Sequence, residues 1–238
     1  MTNEYDVLLI TETWLKSYHK SSELCANSMY SMIRSDRHDK HHGGGVGAFV
    51  KQDLCKQVNI IATTSEAKEF DIIAFDLHLK RNNIIRLVCV YLPPDSSRNN
   101  DIVIKLVNIL NQNFVPNYTY IFGDFNFSKA VWKNGNTIYS PHNNMFDYFY
   151  NFLLTKNLVQ LIDESTHKSG NTLDLVMAPR VNEITKISLY EPFCSTCDHN
   201  TIHVLFTKHW KQTSFNNQRK NFYKGDYCAI NSFLRGID

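Results

Sequence analysis

Two polar residues of the segment 120–126, Asp124 and Asn126, follow an apolar run and a glycine. Because alternate side chains of an extended chain share one face, both would point together from the end of a buried strand, with Phe125 turned into the core. A carboxylate can hold a metal ion or a water, and an amide can donate to a developing oxyanion, so the pair suits the chemistry of phosphate esters. An ordinary turn at a strand end is the alternative, since Gly, Asp and Asn all favour turns.

Two other polar residues stand where apolar runs end. Glu12 follows the run 6–10, and Tyr91 ends the run 84–91 just before Pro93 and Pro94. A carboxylate at the end of a buried strand is costly unless it is paired or bound to a metal, so Glu12 fits a ligand of a hard cation. A carboxylate at the start of a helix is the alternative for Glu12, and a core tyrosine is the alternative for Tyr91.

Ionisable residues also occur in the last third of the chain. Asp174 interrupts an apolar strand at residues 172–177, where its carboxylate needs a partner. Asp198 and His199 are adjacent at the entrance of a strand, where one can serve as a metal or water ligand and the other as a proton carrier. We therefore expect Asp174, Asp198 and His199 to be further members of a polar site.

A zinc site is a competing interpretation of the region around His199. Cys194, Cys197, His199 and His203 have the residue types of such a site. The second cysteine and the first histidine are separated by a single residue, far fewer than in a zinc finger, so the spacing argues against zinc. The histidine-rich run 38–42 lies in a polar stretch before three glycines and predicts a solvated loop.

The composition is that of a soluble globular protein with one substantial core or two small ones. The chain has 238 residues, of which 43% are hydrophobic and 20% charged. A net charge of +2 is too small to indicate a nucleic-acid partner by itself. Six cysteines and the absence of a signal-like start predict reduced thiols in an intracellular protein, and no apolar run is long enough for a membrane span.

Apolar periodicity predicts a mixed α/β chain. The continuous run 6–10 is typical of a strand covered on both faces, and the alternating run 72–79 of a half-buried strand. Helical spacing predicts helices over residues 101–114, capped by Asn100 or Asp101, and over residues 144–154. The other predicted strands lie near residues 30–33, 46–50, 84–91, 120–126, 158–162, 172–177, 184–190 and 201–206.

The polar residues and their flanking motifs occur in an order that resembles the endonuclease/exonuclease/phosphatase superfamily. Within it, the sequence is most similar to the endonuclease domain of insect-type (Jockey-like) non-LTR retrotransposons. The resemblance covers residues 5–207 and rests on the motifs LLITETWL, GGGVGAFV, VYLPP, FGDFN, TLDLVMA and CDHN. Each motif is weak alone, but the shared order of all six is specific.

The resemblance implies a DNase I-like α/β (α+β) fold, a four-layered sandwich of two mainly antiparallel sheets flanked by helices. It implies a catalytic domain at residues 1–207 and a basic linker at residues 208–238 that leads to a reverse transcriptase domain. Domains of this kind begin with a strand that ends in an asparagine, and no residue before the run 6–10 fits that role. We therefore expect this first strand to be missing.

The resemblance also implies roles for the polar residues. Glu12 and Asp198 would bind Mg²⁺ or Mn²⁺, and Tyr91 would hydrogen-bond the scissile phosphate. Asp124 would orient the attacking water or protonate the leaving oxygen, and Asn126 would hold the phosphate or that carboxylate.

The remaining roles concern the pair of Asp174 and His199 and the basic tail. Asp174 would fix His199 so that the other ring nitrogen faces the phosphate. Residues 208–225 contain Lys and Arg but no acidic residue. The cations expected to contact DNA are Lys208, Lys211, Arg219, Lys220 and Lys224.

The function implied is that of a metal-dependent endonuclease. It would nick double-stranded target DNA and leave a 3′-hydroxyl for reverse transcription, in the nucleus, with no membrane and no small-molecule cofactor involved. One alternative is a phosphatase or sphingomyelinase with the same catalytic residues. Another is a catalytically impaired remnant that only binds DNA.

Overall fold

A computed structural model describes residues 5–25, 29–37, 43–55, 57–66, 68–79, 83–134, 136–138 and 144–207. The histidine-rich run 38–42 and the basic tail 208–238, with the five cations expected to bind DNA, lie outside the described residues. None of the described helices is long and apolar enough to span a membrane.

Strands make up most of the described chain. They are β1 (Val7–Thr11), β2 (Tyr30–Ser35), β3 (Val46–Lys51), β4 (Val58–Glu66), β5 (Phe70–His78), β6 (Ile84–Tyr91), β7 (Thr119–Asp124), β8 (Val131–Lys133), β9 (Asn136–Ile138), β10 (Val159–Gln160), β11 (Asp174–Ala178), β12 (Ile184–Tyr190) and β13 (Thr201–Phe206). The α-helices are α1 (Ser21–Leu24), α2 (Gln52–Cys55), α3 (Asn100–Gln112) and α4 (Asn144–Thr155). Two 3₁₀ turns lie at Ser96–Arg98 and Val181–Glu183.

The largest sheet has six strands in the order β10-β11-β7-β6-β5-β4. The β6–β7 pair is parallel, and the other pairs in this sheet are antiparallel. A second sheet has the order β1-β3-β2, and β12–β13 and β8–β9 form two-stranded ribbons. The chain is thus a mixed α/β fold with mainly antiparallel sheets flanked by helices, as predicted.

Helix α3 connects the two parallel strands, because parallel neighbours need a crossover between them. The side chain of Asn99 caps it by accepting hydrogen bonds from the backbone N–H groups of Asp101 and Ile102, over 3.0 and 3.3 Å. The cap therefore lies one residue before the predicted Asn100 or Asp101. Apolar residues of α3 and the aromatic stripe of α4 pack on one face of the six-stranded sheet.

Both faces of β5 are buried. In β5, Ile72 and Ala74 face the helices, whereas Ile73, Phe75 and Leu77 pack towards β3 of the second sheet. The prediction that residues 72–79 form a half-buried strand is wrong, because helices cover one face and a second sheet covers the other.

Strand β1 is half-buried along its length, so the prediction that residues 6–10 are covered on both faces is also wrong. Within the part of the chain that the structure describes, β1 pairs only with β3 and forms an edge of its sheet. Only one of its faces, with Val7 and Leu9, packs on the core. A short apolar run cannot distinguish these two environments.

Candidate active site

Four polar residues form a row across the end of the six-stranded sheet. Tyr91 of β6 is in register with Asp71 of β5 on one side and with Asp124 of β7 on the other. Asp174 of β11 is in register with Asp124. Because β6 and β7 are parallel, the ends of both strands meet at this edge, and residues far apart in the sequence become neighbours.

The turn after β7 fixes the carboxylate of Asp124. The backbone N–H of Asn126 donates to Asp124 Oδ1 over 3.1 Å, and the Asn126 side-chain amide donates to Asp124 Oδ2 over 2.8 Å. The same amide donates to the carbonyl of Leu92 over 3.0 Å. Asn126 adopts the left-handed conformation with φ 51°, which Asn tolerates better than most residues. Phe125 is fully buried, so the chain turns its polar residues out and its aromatic residue in.

Gly123 allows β7 to lie against β6 at this point. A Cβ at Gly123 would overlap with the carbonyl oxygen of Val90, and its φ of +142° is one that other residues rarely adopt. The glycine thus lets Asp124 lie directly beside Tyr91 at the end of the two strands.

Asp174 holds the ring of His199. The Nδ1 of His199 donates to Oδ2 of Asp174 over 2.7 Å, and its Nε2 lies 4.0 Å from Oδ2 of Asp124. The buried hydroxyl of Thr166 accepts hydrogen bonds from the backbone N–H groups of Leu173 and Asp174, each over 3.0 Å. Thr166 therefore fixes the start of β11 and with it the carboxylate that orients His199.

Burial and the charges of this cluster shift two pKa values. Burial, followed by the charge of Asp174, raises the pKa of Asp124 well above its usual range, although His199 and Asn126 oppose the shift. Burial lowers the pKa of His199, but the hydrogen bond and charge of Asp174, with the charges of Asp124 and Asp198, outweigh it and raise that pKa. The cluster thus holds two carboxylates, those of Asp124 and Asp174, beside one imidazole.

Glu12, just after β1, contacts the phenol of Tyr91. The phenol of Tyr91 donates to Oε1 of Glu12, and the indole N–H of Trp14 donates to Oε2 over 3.1 Å. Burial and the neighbouring Glu12 carboxylate raise the pKa of Tyr91, so the phenol keeps its proton. Glu12 is itself exposed, which leaves its oxygens open to a further ligand.

Asp198 is engaged by two basic side chains. Lys168 Nζ lies 3.0 Å from its Oδ2, and Nε2 of His167 lies 3.3 Å from the same oxygen. The hydrogen bond from Lys168 is the main cause of its lowered pKa. His167 also contacts His199, with ring centroids 4.7 Å apart. A cation at Asp198 would therefore have to compete with Lys168.

The sequence matches the model of a family described as endonuclease-reverse transcriptase over residues 85–203, half of the chain. The chain belongs to the endonuclease/exonuclease/phosphatase superfamily. Enzymes of this superfamily are nucleases and phosphoesterases. A comparison with curated protein sequences gave no significant match.

Several solved structures have the same fold as this chain. One is the endonuclease domain of TRAS1, a telomere-specific non-LTR retrotransposon, which is 16% identical to this chain in sequence. The two superpose with a TM-score of 0.58 over 84% of each chain. An AP endonuclease from Archaeoglobus fulgidus is 14% identical with a TM-score of 0.61, covering 86% of this chain and 90% of its own. A 3′ phosphatase from Neisseria, solved with a product DNA hairpin, is 11% identical with a TM-score of 0.58, covering 84% and 88%.

Among the described residues, two groups of side chains lie close enough together to hold a metal ion. One contains Asp124, Asp174 and His199, and the other contains His167, Asp198 and His199. Glu12 belongs to neither group. The predicted ligands Glu12 and Asp198 are thus not members of one group, although each offers carboxylate oxygens suited to a hard cation.

The sequence interpretation missed several residues of the site. Thr166, His167 and Lys168 lie in a polar loop, and nothing in their spacing distinguishes them from solvated residues. Their contacts with Asp174 and Asp198 arise because residues 166–168 run beside residues 198–200, joined by backbone hydrogen bonds such as Asn200 N to Thr166 O over 2.7 Å. Pairing between distant segments leaves no local signal.

The residues of the competing zinc interpretation are engaged elsewhere. Cys194 and Cys197 form a disulfide, so the prediction of reduced thiols is wrong for this pair. His199 is bound to Asp174, and a ring nitrogen of His203 lies 3.1 Å from the hydroxyl of Tyr5. The four side chains therefore do not converge on one point.

Proposed function

We propose that the chain is a divalent-metal-dependent phosphodiesterase that nicks double-stranded DNA. The observation that carries the proposal is the cluster at the ends of β7 and β11. There, His199 is hydrogen-bonded to Asp174 over 2.7 Å and presents its other nitrogen 4.0 Å from the carboxylate of Asp124. An oriented imidazole beside a buried carboxylate can share the tasks of moving a proton and stabilising a developing charge.

Each group of the cluster has a task in phosphodiester hydrolysis. Asp124 accepts a hydrogen bond from water and takes a proton from it as the water oxygen attacks phosphorus. Asn126 holds Asp124 in place through two hydrogen bonds. The Nε2–H of His199 donates to a non-bridging phosphate oxygen, where negative charge builds up.

The step balances as a hydrolysis. A bond forms between the water oxygen and phosphorus, and the bond between phosphorus and the 3′-oxygen breaks with its electron pair going to that oxygen. The 3′-oxygen then takes up a proton, so the products are a 3′-hydroxyl and a 5′-phosphate. Tyr91, whose phenol keeps its proton, donates it to Glu12 here. In the proposed complex this proton turns from Glu12 to an oxygen of the phosphate.

Glu12 fits a hard divalent cation such as Mg²⁺ or Mn²⁺. Its carboxylate is exposed and lies beside Tyr91 of the row, where it accepts hydrogen bonds from Tyr91 and Trp14. Carboxylate oxygens are the ligands that such cations prefer. Asp198 is the second proposed ligand, after displacement of Lys168. When bound, such an ion neutralises phosphate charge and stabilises the leaving oxygen.

The proposed biological role is target-primed reverse transcription. It is supported by the family description, endonuclease-reverse transcriptase, and by the fold shared with the retrotransposon endonuclease. In this role the domain comprises residues 1–207, and the basic segment 208–238 links it to a reverse transcriptase and contacts DNA. The 3′-hydroxyl left by nicking would serve as the primer, and the proposed target is nuclear DNA.

Plasmid nicking tests the proposal. The protein should convert supercoiled plasmid to the open circular form with Mg²⁺, EDTA should stop the reaction, and a DNA polymerase should extend the new 3′ ends. His199→Ala is the matched inactive control. Binding without cleavage would favour the DNA-binding remnant, and release of phosphate from monoesters without nicking would favour a phosphatase.

A further inference from the structure

A buried ion pair joins Asp71, one of the four residues of the row, to Arg37. Nη2 of Arg37 lies 2.6 Å from Oδ2 of Asp71, and both side chains are shielded from solvent. The same Asp71 oxygen accepts the backbone N–H of Gly45 over 2.9 Å, and the other accepts the hydroxyl of Ser65 over 2.5 Å. Asp71 is therefore fully engaged, although no sequence motif marks it.

The pair contacts Tyr91 in two ways. Asp71 is the cross-strand neighbour of Tyr91 in the β5–β6 pair. The guanidinium carbon of Arg37 lies 5.4 Å from the centroid of the Tyr91 ring, within the range of a cation–π interaction. The orientation of the Tyr91 phenol thus depends on the Arg37 guanidinium, which Asp71 holds in place.

The pair also fixes the segment that supports Glu12. The carbonyls of Gly45 and Gly44 accept the backbone N–H groups of Thr13 and Trp14, over 3.2 and 2.9 Å. A Cβ at Gly44 would overlap with the Arg37 guanidinium, so the glycine packs directly on the ion pair. Asp71 therefore fixes Gly45, and Gly44 and Gly45 fix the residues that follow Glu12.

The backbone at Glu12 is unusual and needs such support. Glu12 and Trp14 have φ of 52° and 55°, a left-handed conformation that costs non-glycine residues free energy. Conformations of this kind persist only where the surroundings fix them. The hydrogen bonds to Gly44 and Gly45 are such surroundings.

We propose that Arg37 and Asp71 are positioning residues for the proposed endonuclease site, acting through Tyr91 and through the Gly44–Gly45 backbone on Glu12. The inference rests on the proposed function of that site. A buried ion pair is weak evidence for stability, because desolvation offsets much of its Coulomb energy, and in some proteins such a pair specifies geometry instead. The pair holds the metal ligand Glu12 and the phenol of Tyr91 in one arrangement.

A second ion pair on the same two strands provides a matched control. Arg86 of β6 binds its cross-strand neighbour Asp76 of β5 with two hydrogen bonds of 2.7 and 2.8 Å. It is largely buried but lies towards the opposite end of the strands from Tyr91. A general loss of stability would affect both pairs alike, whereas a positioning role belongs to Arg37 alone.

The experiment compares Arg37→Lys with Arg86→Lys in the full chain. We expect Arg37→Lys to lower the kcat for plasmid nicking between about 10- and 100-fold, as misplacement of catalytic groups does. It should also raise the Mg²⁺ concentration for half-maximal rate, with DNA affinity unchanged. Arg86→Lys should leave both quantities within about twofold. Equal effects of the two substitutions would overturn the proposal.

A spectroscopic measurement keeps the test independent of activity. The indole N–H of Trp14, assigned with Trp14→Phe, should change its NMR chemical shift in Arg37→Lys and in Asp71→Asn but not in Arg86→Lys or Asp76→Asn. An unchanged signal in the first two would refute the positioning role. If both of these variants fail to fold while the controls fold, the pair is a stability element and the proposal is dropped. If the wild-type chain does not nick DNA, the proposed function fails, but the Trp14 signal still decides the positioning role.

Discussion

Asp174 and His199 are joined by a hydrogen bond of 2.7 Å, although they are 25 positions apart in the chain. Because a carboxylate only accepts, His199 must donate from Nδ1, and this leaves Nε2 to face Asp124. The role of the histidine is thus decided by its partner.

The first prediction follows from this pairing. Asp174→Asn and His199→Ala should each lower the rate of plasmid nicking by about 10²- to 10⁴-fold, because both remove the same oriented imidazole. The double variant should be about as slow as either single one, since residues that act as a unit give non-additive losses. The measurement is a double-mutant cycle of single-turnover rates. Losses that multiply would show that the two residues act independently.

The second prediction concerns Thr166, whose hydroxyl accepts the backbone N–H of Asp174. Thr166→Val should destabilise the protein by about 2 kcal/mol or more, because two buried N–H groups lose their acceptor. Nicking should also slow, since the Asp174 backbone is released. Thr166→Ser keeps the hydroxyl and is the matched control. Urea unfolding of the three proteins measures the effect, and equal stability of the Val and Ser variants would contradict it.

Much of the fold could be predicted because the apolar patterns are local. The strand at residues 84–91 was predicted with the bounds it has, and the helix at 144–154 to within one residue. The edge strand β4 was missed, since its exposed and half-buried residues lack a clear alternation. The burial of β5 on both faces was missed too, because it depends on which elements pack against it.

The site residues were recognisable where a polar side chain ends or interrupts an apolar strand, as Asp124 and Asp174 do. The residues that hold them were not recognisable. Arg37, Asp71 and Thr166 meet their partners only through packing between segments distant in the sequence. The pairing of Asp198 with Lys168 was likewise invisible, since both residues lie in polar stretches.

The third prediction concerns the glycine between β6 and β7. Gly123→Ala should destabilise the protein by more than about 4 kcal/mol or prevent folding, because the added methyl overlaps with the Val90 carbonyl. Gly170→Ala is the control, since Gly170 also has a positive φ but open space around it. Only backbone strain of about 1 kcal/mol is expected there. Chemical denaturation measures the free energy of unfolding of both variants. Similar losses of stability would show that the close approach of Gly123 to the Val90 carbonyl is unimportant.

The fourth prediction is that Mg²⁺ stabilises the protein through Glu12. An ion at 100 times its Kd adds about 2.7 kcal/mol, which for a domain of this size is a rise in Tm of about 5 to 11 °C. Glu12→Ala should abolish most of the rise, whereas Glu23→Ala, which removes an exposed carboxylate on α1, should not. Asp198→Asn tests the second proposed ligand by the same thermal melts. A rise that survives Glu12→Ala would remove Glu12 from the metal site.

The last prediction concerns the basic segment 208–238. Each cation that contacts a phosphate releases a counterion from DNA, so it adds about 0.9 to the slope of log K against log salt concentration. If five cations make such contacts, replacing all of them by glutamine should lower the slope by about 4.5 and weaken binding at low salt. The five are Lys208, Lys211, Arg219, Lys220 and Lys224.

The control for the tail is a variant that changes cations elsewhere. Replacing Lys105 and Lys156, which lie outside the segment 208–238 against acidic or aromatic neighbours, should leave the slope unchanged. Fluorescence anisotropy with a labelled duplex at several salt concentrations measures all three proteins. Because the contacts are with phosphates and not bases, the loss should be the same for unrelated duplex sequences. An identical slope with and without the five cations would show that the segment serves only as a linker.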